Sequence, residues 1–317
     1  MEKDIKLKGN MRKTNFSKDI VPKVKKEWDL YLLLIPMVVW YIVFAYKPMY
    51  GLQIAFKDYN IFKGIAASPW VGLDNFRDFM SSPDFFRTVK NTIMISVYGI
   101  VFAFPAPIIL ALLINEAKNK FLKNIIQTLA FLPHFISIVV VSGMVVSFLA
   151  PSDGVINLII SKLGFEKIYF LTKPQYFRGI YTGMNIWKST GFNAIVYIAA
   201  LAGIDQQLYE AARVDGAGKW QQMKNVTVPG ILPTIVIMFV LNVGNIVKVG
   251  FESIILLYQP ATFETADVIS TYVYRTGLQN QNYGLATAAG LFEAAIALIL
   301  VYGANRLSKK LTEDSLW

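Results

Sequence analysis

DQQLYEAARVDGAGKWQQMKNVTVP, Asp205–Pro229, is short, charged and rich in alanine, and it lies between two stretches apolar enough to cross a bilayer. Asp205 is a natural helix N-cap, and LYEAARV behind it is built of good helix formers. Leu208, Ala211, Ala212 and Asp215 then share a face at spacings of three and four. Gly216 and Gly218 break the helix, and a second short helix is predicted from near Lys219, with Trp220 and Met223 on one face. Pro229 and Pro233 are expected to stop it and start the next span. The segment therefore predicts a two-helix finger in water whose apolar side chains have no core of their own. One reading packs it as an amphipathic loop under a bundle. The other makes it a knob for a groove on a soluble partner, where alanines allow close approach and Glu210 can bond a basic group.

The rest of the chain explains why such a finger needs a membrane around it. Of 317 residues, 55% are hydrophobic and only 16% charged, against about 25% charged in soluble domains. That excess of apolar residues points to an integral membrane protein. The net charge of +10 gathers in an N-terminal arm and short connections without interleaved aromatics, which argues against nucleic-acid binding. The absence of cysteine excludes disulfides, cysteine-based zinc sites and thiol nucleophiles. With His134 the single histidine, a histidine metal cluster or a Ser-His-Asp triad is not expected.

A helical span needs roughly 20 apolar residues, and six segments qualify: residues 30–46, 91–114, 125–150, 179–204, 231–249 and 286–302. The predicted fold is an all-α membrane bundle of six transmembrane helices, since these stretches are too long for barrel strands. The basic arm, the connection with Lys118, Lys120 and Lys123, and the tail with Arg306, Lys309 and Lys310 fall on one side. The excess of positive charge makes that side cytoplasmic, with both termini inside. The polar arm is too long for a signal peptide, so the first span is expected to be retained. Pro105, Pro107 and Pro133 fall inside spans and should kink them, either for packing or to line and gate a path.

EAARVDGAGKWQQMKNVTVPGILP, Glu210–Pro233, resembles the cytoplasmic signature loop of binding-protein-dependent ABC importer permeases. The family pattern runs Glu-Ala-Ala, then Asp-Gly-Ala, then an aliphatic–X–aliphatic–Pro step. Its counterparts are Glu210, Ala211, Ala212, Asp215, Gly216 and Ala217, then Val226, Val228 and Pro229. Where the family often has phenylalanine in the second short helix, this chain has Met223, which keeps an apolar knob. NIWKSTGFNAIVYIAALAGI, Asn185–Ile204, is similar to the family too. VGFESIILLYQPATFETADVISTYVYRTGL, Val249–Leu278, resembles the branch importing oligosaccharides and polysaccharide fragments. The resemblance runs from about Phe85 to Leu311.

It implies a type I permease fold with a coupling loop at 205–229, docking a separate ATPase through Glu210, Ala211, Ala212, Asp215, Gly216, Ala217, Trp220 and Met223. It divides the chain into a basic arm (1–28), a first span with its external loop (29–84), the permease domain (85–305) and a cytoplasmic tail (306–317). The implied partners are a second permease chain, two ATPase copies, an extracytoplasmic solute-binding protein and a carbohydrate, in the cell membrane. The chain itself would bind no cofactor, ATP and magnesium residing on the ATPase.

GAGK at Gly216–Lys219 is not a phosphate-binding loop: Arg213 stands where its first glycine belongs and Trp220 where it needs Ser or Thr. This chain is therefore expected to be no enzyme, with energy arriving through the finger and tilting the helices behind it. Candidate path residues are Asn185, Trp187, Asn193, Asn242 and Asn245, since amides and aromatic faces suit sugars. Interhelical hydrogen bonding is the alternative. Lys188 and Glu293 lie mid-span, where a charge must face a partner, water or the interior. Either they pair, or one faces the path. Glu252 could meet Lys248 or an arriving substrate, and His134 reads as a packing residue. A non-sugar solute such as a peptide, or an ion-driven secondary transporter, are the rival functions. The latter calls for a buried relay and inverted repeats, and neither is visible.

Overall fold

The computed structural model describes residues 27–246 and 249–312, without the side chains of residues 245–246, 307–308 and 310–312. The basic arm as far as residue 26, Lys248, and the side chains of Asn245 and Lys310 lie outside the described residues. The described residues fall into two compact units, one as far as Gln53 and the other from Ile54 onward. The first holds α1 (Trp28–Tyr41), which continues through a π turn at Ile42–Tyr46.

The second unit begins with α2 (Asp74–Ser81), α3 (Phe85–Tyr98) and α4 (Pro105–Glu116). There follow α5 (Lys120–Phe131), α6 (Ile138–Leu149), α7 (Val155–Lys162) and the long α8 (Pro174–Ala202). Beyond α8 come α9 (Gln206–Val214), α10 (Lys219–Gln222), α11 (Val228–Ile246) and α12 (Phe251–Leu257). The chain closes with α13 (Ile269–Tyr274) and α14 (Tyr283–Thr312). Among the described residues there is no strand, only an isolated bridge between Lys57 and Trp70.

α8 organises this unit. It packs on α4, α5 and α11, and Ala194, Tyr197 and Leu201 on it close a core with Ala111, Ile204 and Ile231. Nearer its start, Phe177, Tyr181 and Met184 join Ile254 and Leu257 of α12 in a second core. α14 packs on α11, α2 and α13. The closest approach is at Gly191, where an added Cβ would overlap the Ala130 backbone carbonyl. Small residues at such crossings let membrane helices come together. Gly191→Leu should force α5 off α8 and destabilise the unit by about 3 kcal/mol, as overpacking does. Thermal unfolding in detergent would show it; an unchanged midpoint would mean that the crossing is looser than drawn.

The spans differ from expectation in count and continuity. Trp28–Phe56, Phe85–Glu116, Lys219–Gly244 and Tyr283–Arg306 are long and apolar enough to cross a membrane. The expected third span is not one helix: Lys120–Phe135 and Ile138–Leu149 meet at 101°, a fifth span only if the bent pair is counted as one. Pro133 sits in a 3₁₀ turn, Leu132–Phe135, and Ile136 and Ser137 are extended. The Ser137 hydroxyl then caps α6 by accepting from the Val139 amide. The expected fourth span is α8, 29 residues long, whose amides, hydroxyls and Lys188 keep it from standing out by composition.

The other prolines act differently from the kinks expected. Before Pro105, a π turn at Gly99–Ala103 lets the Phe104 amide reach the Gly99 carbonyl at 2.8 Å. Before Pro229, the same device at Met223–Thr227 carries the Val228 amide to Met223. A widened turn places the residue without an N–H where no donor is needed. As a result the second short helix does not stop at Pro229 but runs on into α11.

At the start of α8, away from the 205–229 loop, lies a buried ionic cluster that no local pattern announces. Asp267, fully buried, accepts from Arg87 at 2.9 Å and from Arg275 at 2.8 and 2.9 Å. Asp84 also pairs with Arg87, at 2.7 Å. Asn91 donates to the Asp267 carbonyl and accepts from Arg178 of α8. Burial would raise the Asp267 pKa, but the hydrogen bonds from Arg275 and Arg87 outweigh it and hold the carboxyl below its ordinary 3.8.

Candidate functional site

The finger is set by short-range chemistry. Asp205 caps α9 by accepting from the Gln207 amide at 2.9 Å. α9 ends in a Schellman motif: Ala217 N–H reaches the Ala212 carbonyl at 2.9 Å and Gly216 N–H the Arg213 carbonyl at 3.1 Å. Gly216 takes φ +76° there, a left-handed conformation natural to glycine. The Gln221 side chain accepts from the Gly218 amide at 2.8 Å, and Gln222 donates to the Ala217 carbonyl at 2.7 Å. Tyr209 and Thr227 meet hydroxyl to hydroxyl at 3.0 Å, tying the start of the finger to its end.

This bracing leaves apolar groups facing out. Trp220 is 74% exposed and Val214, which the sequence pattern did not single out, 88%. Glu210, Ala211 and Asp215 are exposed as well, while Ala212, Ala217 and Met223 are half-buried. Glu210 makes no ion pair among the described residues. Lys219, by contrast, bonds Glu116 at the end of α4 at 2.5 Å, a link between residues 103 apart that spacing could not reveal. It joins the finger to the end of another helix.

The path candidates divide. Asn193 of α8 and Asn242 of α11 line one pocket of about 230 Å³ together with Phe104, Ser189, Tyr197 and Met238. Trp187 lines a separate apolar pocket against Val141, Val145 and Phe148 of α6. Asn185 donates to the Tyr181 carbonyl one turn back, at 3.0 Å. Glu252 is exposed in the first turn of α12. Asn245 belongs to α11, but its side chain is outside the described residues.

Of the two readings for Lys188 and Glu293, pairing or one facing the path, the first is not met by an ion pair between the two among the described residues. The Lys188 ammonium donates to the backbone carbonyls of His134 at 2.8 Å and Ile136 at 2.6 Å, and makes no ion pair among the described residues. Those carbonyls belong to the break in the expected third span, so the partner is one that only the bent backbone creates. His134 stacks flat on Phe192, ring centroids 3.9 Å apart, in keeping with a packing role. Among the described residues no group of His, Asp and Glu side chains could hold a metal.

Residues 103–313 match the family described as the binding-protein-dependent transport system inner membrane component. The chain is 42% identical over 294 residues to protein LplB of Bacillus subtilis, covering 93% of this chain and 92% of that one. It is 41% identical to the polygalacturonan/rhamnogalacturonan transport system permease protein YteP of Bacillus subtilis, covering 95% and 94%. A solved bacterial ABC transporter involved in the import of the acidic polysaccharide alginate contains a chain of 50% identity and TM-score 0.87, covering 93% of this chain and 99% of that one. The same match, at 49%, holds for the alginate transporter in complex with alginate pentasaccharide-bound periplasmic protein. The chain belongs to this family: it is a permease subunit of a binding-protein-dependent ABC importer, with the type I fold.

Proposed function

We propose that this chain forms half of the path by which an oligosaccharide enters the cell, and that ATP hydrolysed by a separate subunit drives the step through the 205–229 finger. The supporting observation is the extent of the likeness to the alginate transporter chain, 93% of this chain at half identity. The family match at residues 103–313 spans both the finger and the helices that carry Asn193 and Asn242. On this reading the chain crosses the membrane six times, with α8 and the bent α5–α6 pair each counted as a span. Both termini and the finger are cytoplasmic, and Asp267 and its arginines lie outside.

A second, related permease completes the path across a pseudo-twofold axis, two ATPase copies take the fingers, and a solute-binding protein delivers the sugar. The Asn193–Asn242 pocket, at about 230 Å³, is smaller than the roughly 300–1,000 Å³ of ordinary ligand sites. Side chains of the second permease would enlarge it. Amides that both give and accept hydrogen bonds, beside Tyr197 and Phe104, suit a sugar ring and its hydroxyls. An acidic oligosaccharide is the first to try, given what YteP and the alginate transporter are named for.

The test is uptake of labelled oligosaccharides by vesicles holding the complete transporter, with its binding protein and ATP. Asn193→Ala with Asn242→Ala should raise the half-saturating concentration about tenfold, the equivalent of 1.4 kcal/mol of lost hydrogen bonding. Unaltered saturation by every glycan that is transported would remove this pocket from the path.

A further inference from the structure

The break in the third span is held by a residue of another helix, and that residue stands on the helix leading into the finger. A broken membrane helix survives only where its freed carbonyls find donors. Here Ile136 and Ser137 are extended, ψ 134° and 141°, which interrupts the helical ladder around the carbonyls of His134 and Ile136. Lys188 of α8 supplies the donors, one ammonium to two carbonyls. Two further contacts flank it on the same helix. Gly191 lets Ala130 of α5 come against the α8 backbone, and Phe192 stacks on His134 inside the break. On the other side of the break, Ser142 of α6 donates weakly to the Met184 sulfur at 3.8 Å. Thus both arms of the bent span are fastened to one stretch of α8, residues 184–192, with Lys188 in the middle. α8 ends at Ala202, and Asp205, the cap of α9, follows three residues later.

We propose that Lys188 is a positioning residue that fixes the angle of the bent span on α8, so that movement of the finger reaches α6 through this joint. The proposal rests on the transport reading above for its consequence, but its geometry stands without it. The ammonium provides donors to backbone and needs no carboxylate partner. An apolar side chain of similar length, with no donor, would leave two carbonyls in an apolar setting and let α6 swing relative to α5.

Two readouts test it in the complete transporter in vesicles. The first is the ratio of sugar moved to ATP hydrolysed. Lys188→Met should lower it by about fivefold to tenfold, within the range by which single residues alter coupling, and Lys188→Arg, which can still donate to both carbonyls, should restore most of it. The second uses the lack of native cysteine. Spin labels on Leu129→Cys and Val140→Cys, both exposed and on either side of the break, report the angle directly. One narrow distance distribution is expected with Lys188, and a broad or displaced one with Lys188→Met. The same narrow distribution in Lys188→Met, or an unchanged ratio, would overturn the proposal. Lack of uptake by the unsubstituted transporter would count against the sugar reading, while the distance measurement would still decide the joint.

Discussion

Replacing Gly216 with valine is expected to abolish ATP-driven uptake while leaving the chain in the membrane. Gly216 sits at φ +76°, where a β-branched residue is strained by on the order of 1–3 kcal/mol. No neighbouring atom would collide with a side chain there, so the cost is conformational and stays local. To escape it the chain must give up the Schellman bonds from Gly216 and Ala217. Val214 and Trp220, the most exposed apolar groups of the finger, then change their relation to one another. A strain of that size moves a two-state loop by about tenfold to a hundredfold. The change should stay in the turn, because Tyr209–Thr227 still closes the finger on itself and Lys219–Glu116 still holds it to the end of α4. Uptake and substrate-stimulated ATP hydrolysis should therefore fall together, with normal amounts of the chain in membranes. Gly216→Ala should be milder, since alanine has no β-branch. Full uptake by the valine variant would show that the shape of the turn is immaterial to docking.

The second large effect should come from Asp267. Its carboxylate, fully buried, is shared by Arg87 and Arg275, and Asn91 links the same segment to Arg178. Removing one partner of a buried ion pair costs about 3 kcal/mol or more, because the remaining charges lose their compensation. Asp84 softens that loss, as it reaches Arg87 at 2.7 Å and Arg275 at 3.6 Å. Asp267→Asn should thus lower the unfolding midpoint in detergent by several degrees at neutral pH. The acid dependence follows from the sign of the shift. The folded carboxyl titrates below its ordinary 3.8, so its contribution is complete above that value and is lost as pH falls through the folded one. The asparagine variant should lose less stability than the parent between neutral pH and strong acid. Equal acid sensitivity in both would mean that another group dominates.

What the sequence disclosed tracks how local each determinant is. Asp205, Gly216 and Gly218 act within a few residues, and the structure forms α9 and its turn where they stand. Asn193 and Asn242 were each identifiable as polar groups in apolar stretches, but their meeting depends on how α8 crosses α11. For Lys188, position in the chain raised the right question and suggested a carboxylate as the answer. The true partners are carbonyls that exist only because the chain breaks after Pro133, and a proline shows where a helix can bend, not by 101°. Pro105 and Pro229 make the same point from the other side, since π turns absorbed both. The Asp267 cluster had no signal at all: Arg87 lies 180 residues away, and nothing periodic relates them.

A subunit of an ATP-driven importer should work only in company. The measurement is to purify this chain from its native membrane and identify what accompanies it. A second permease and an ATPase are expected in the same complex, with the ATPase lost when Gly216 is valine. A chain that emerges alone, folded and able to carry sugar without ATP would contradict that expectation.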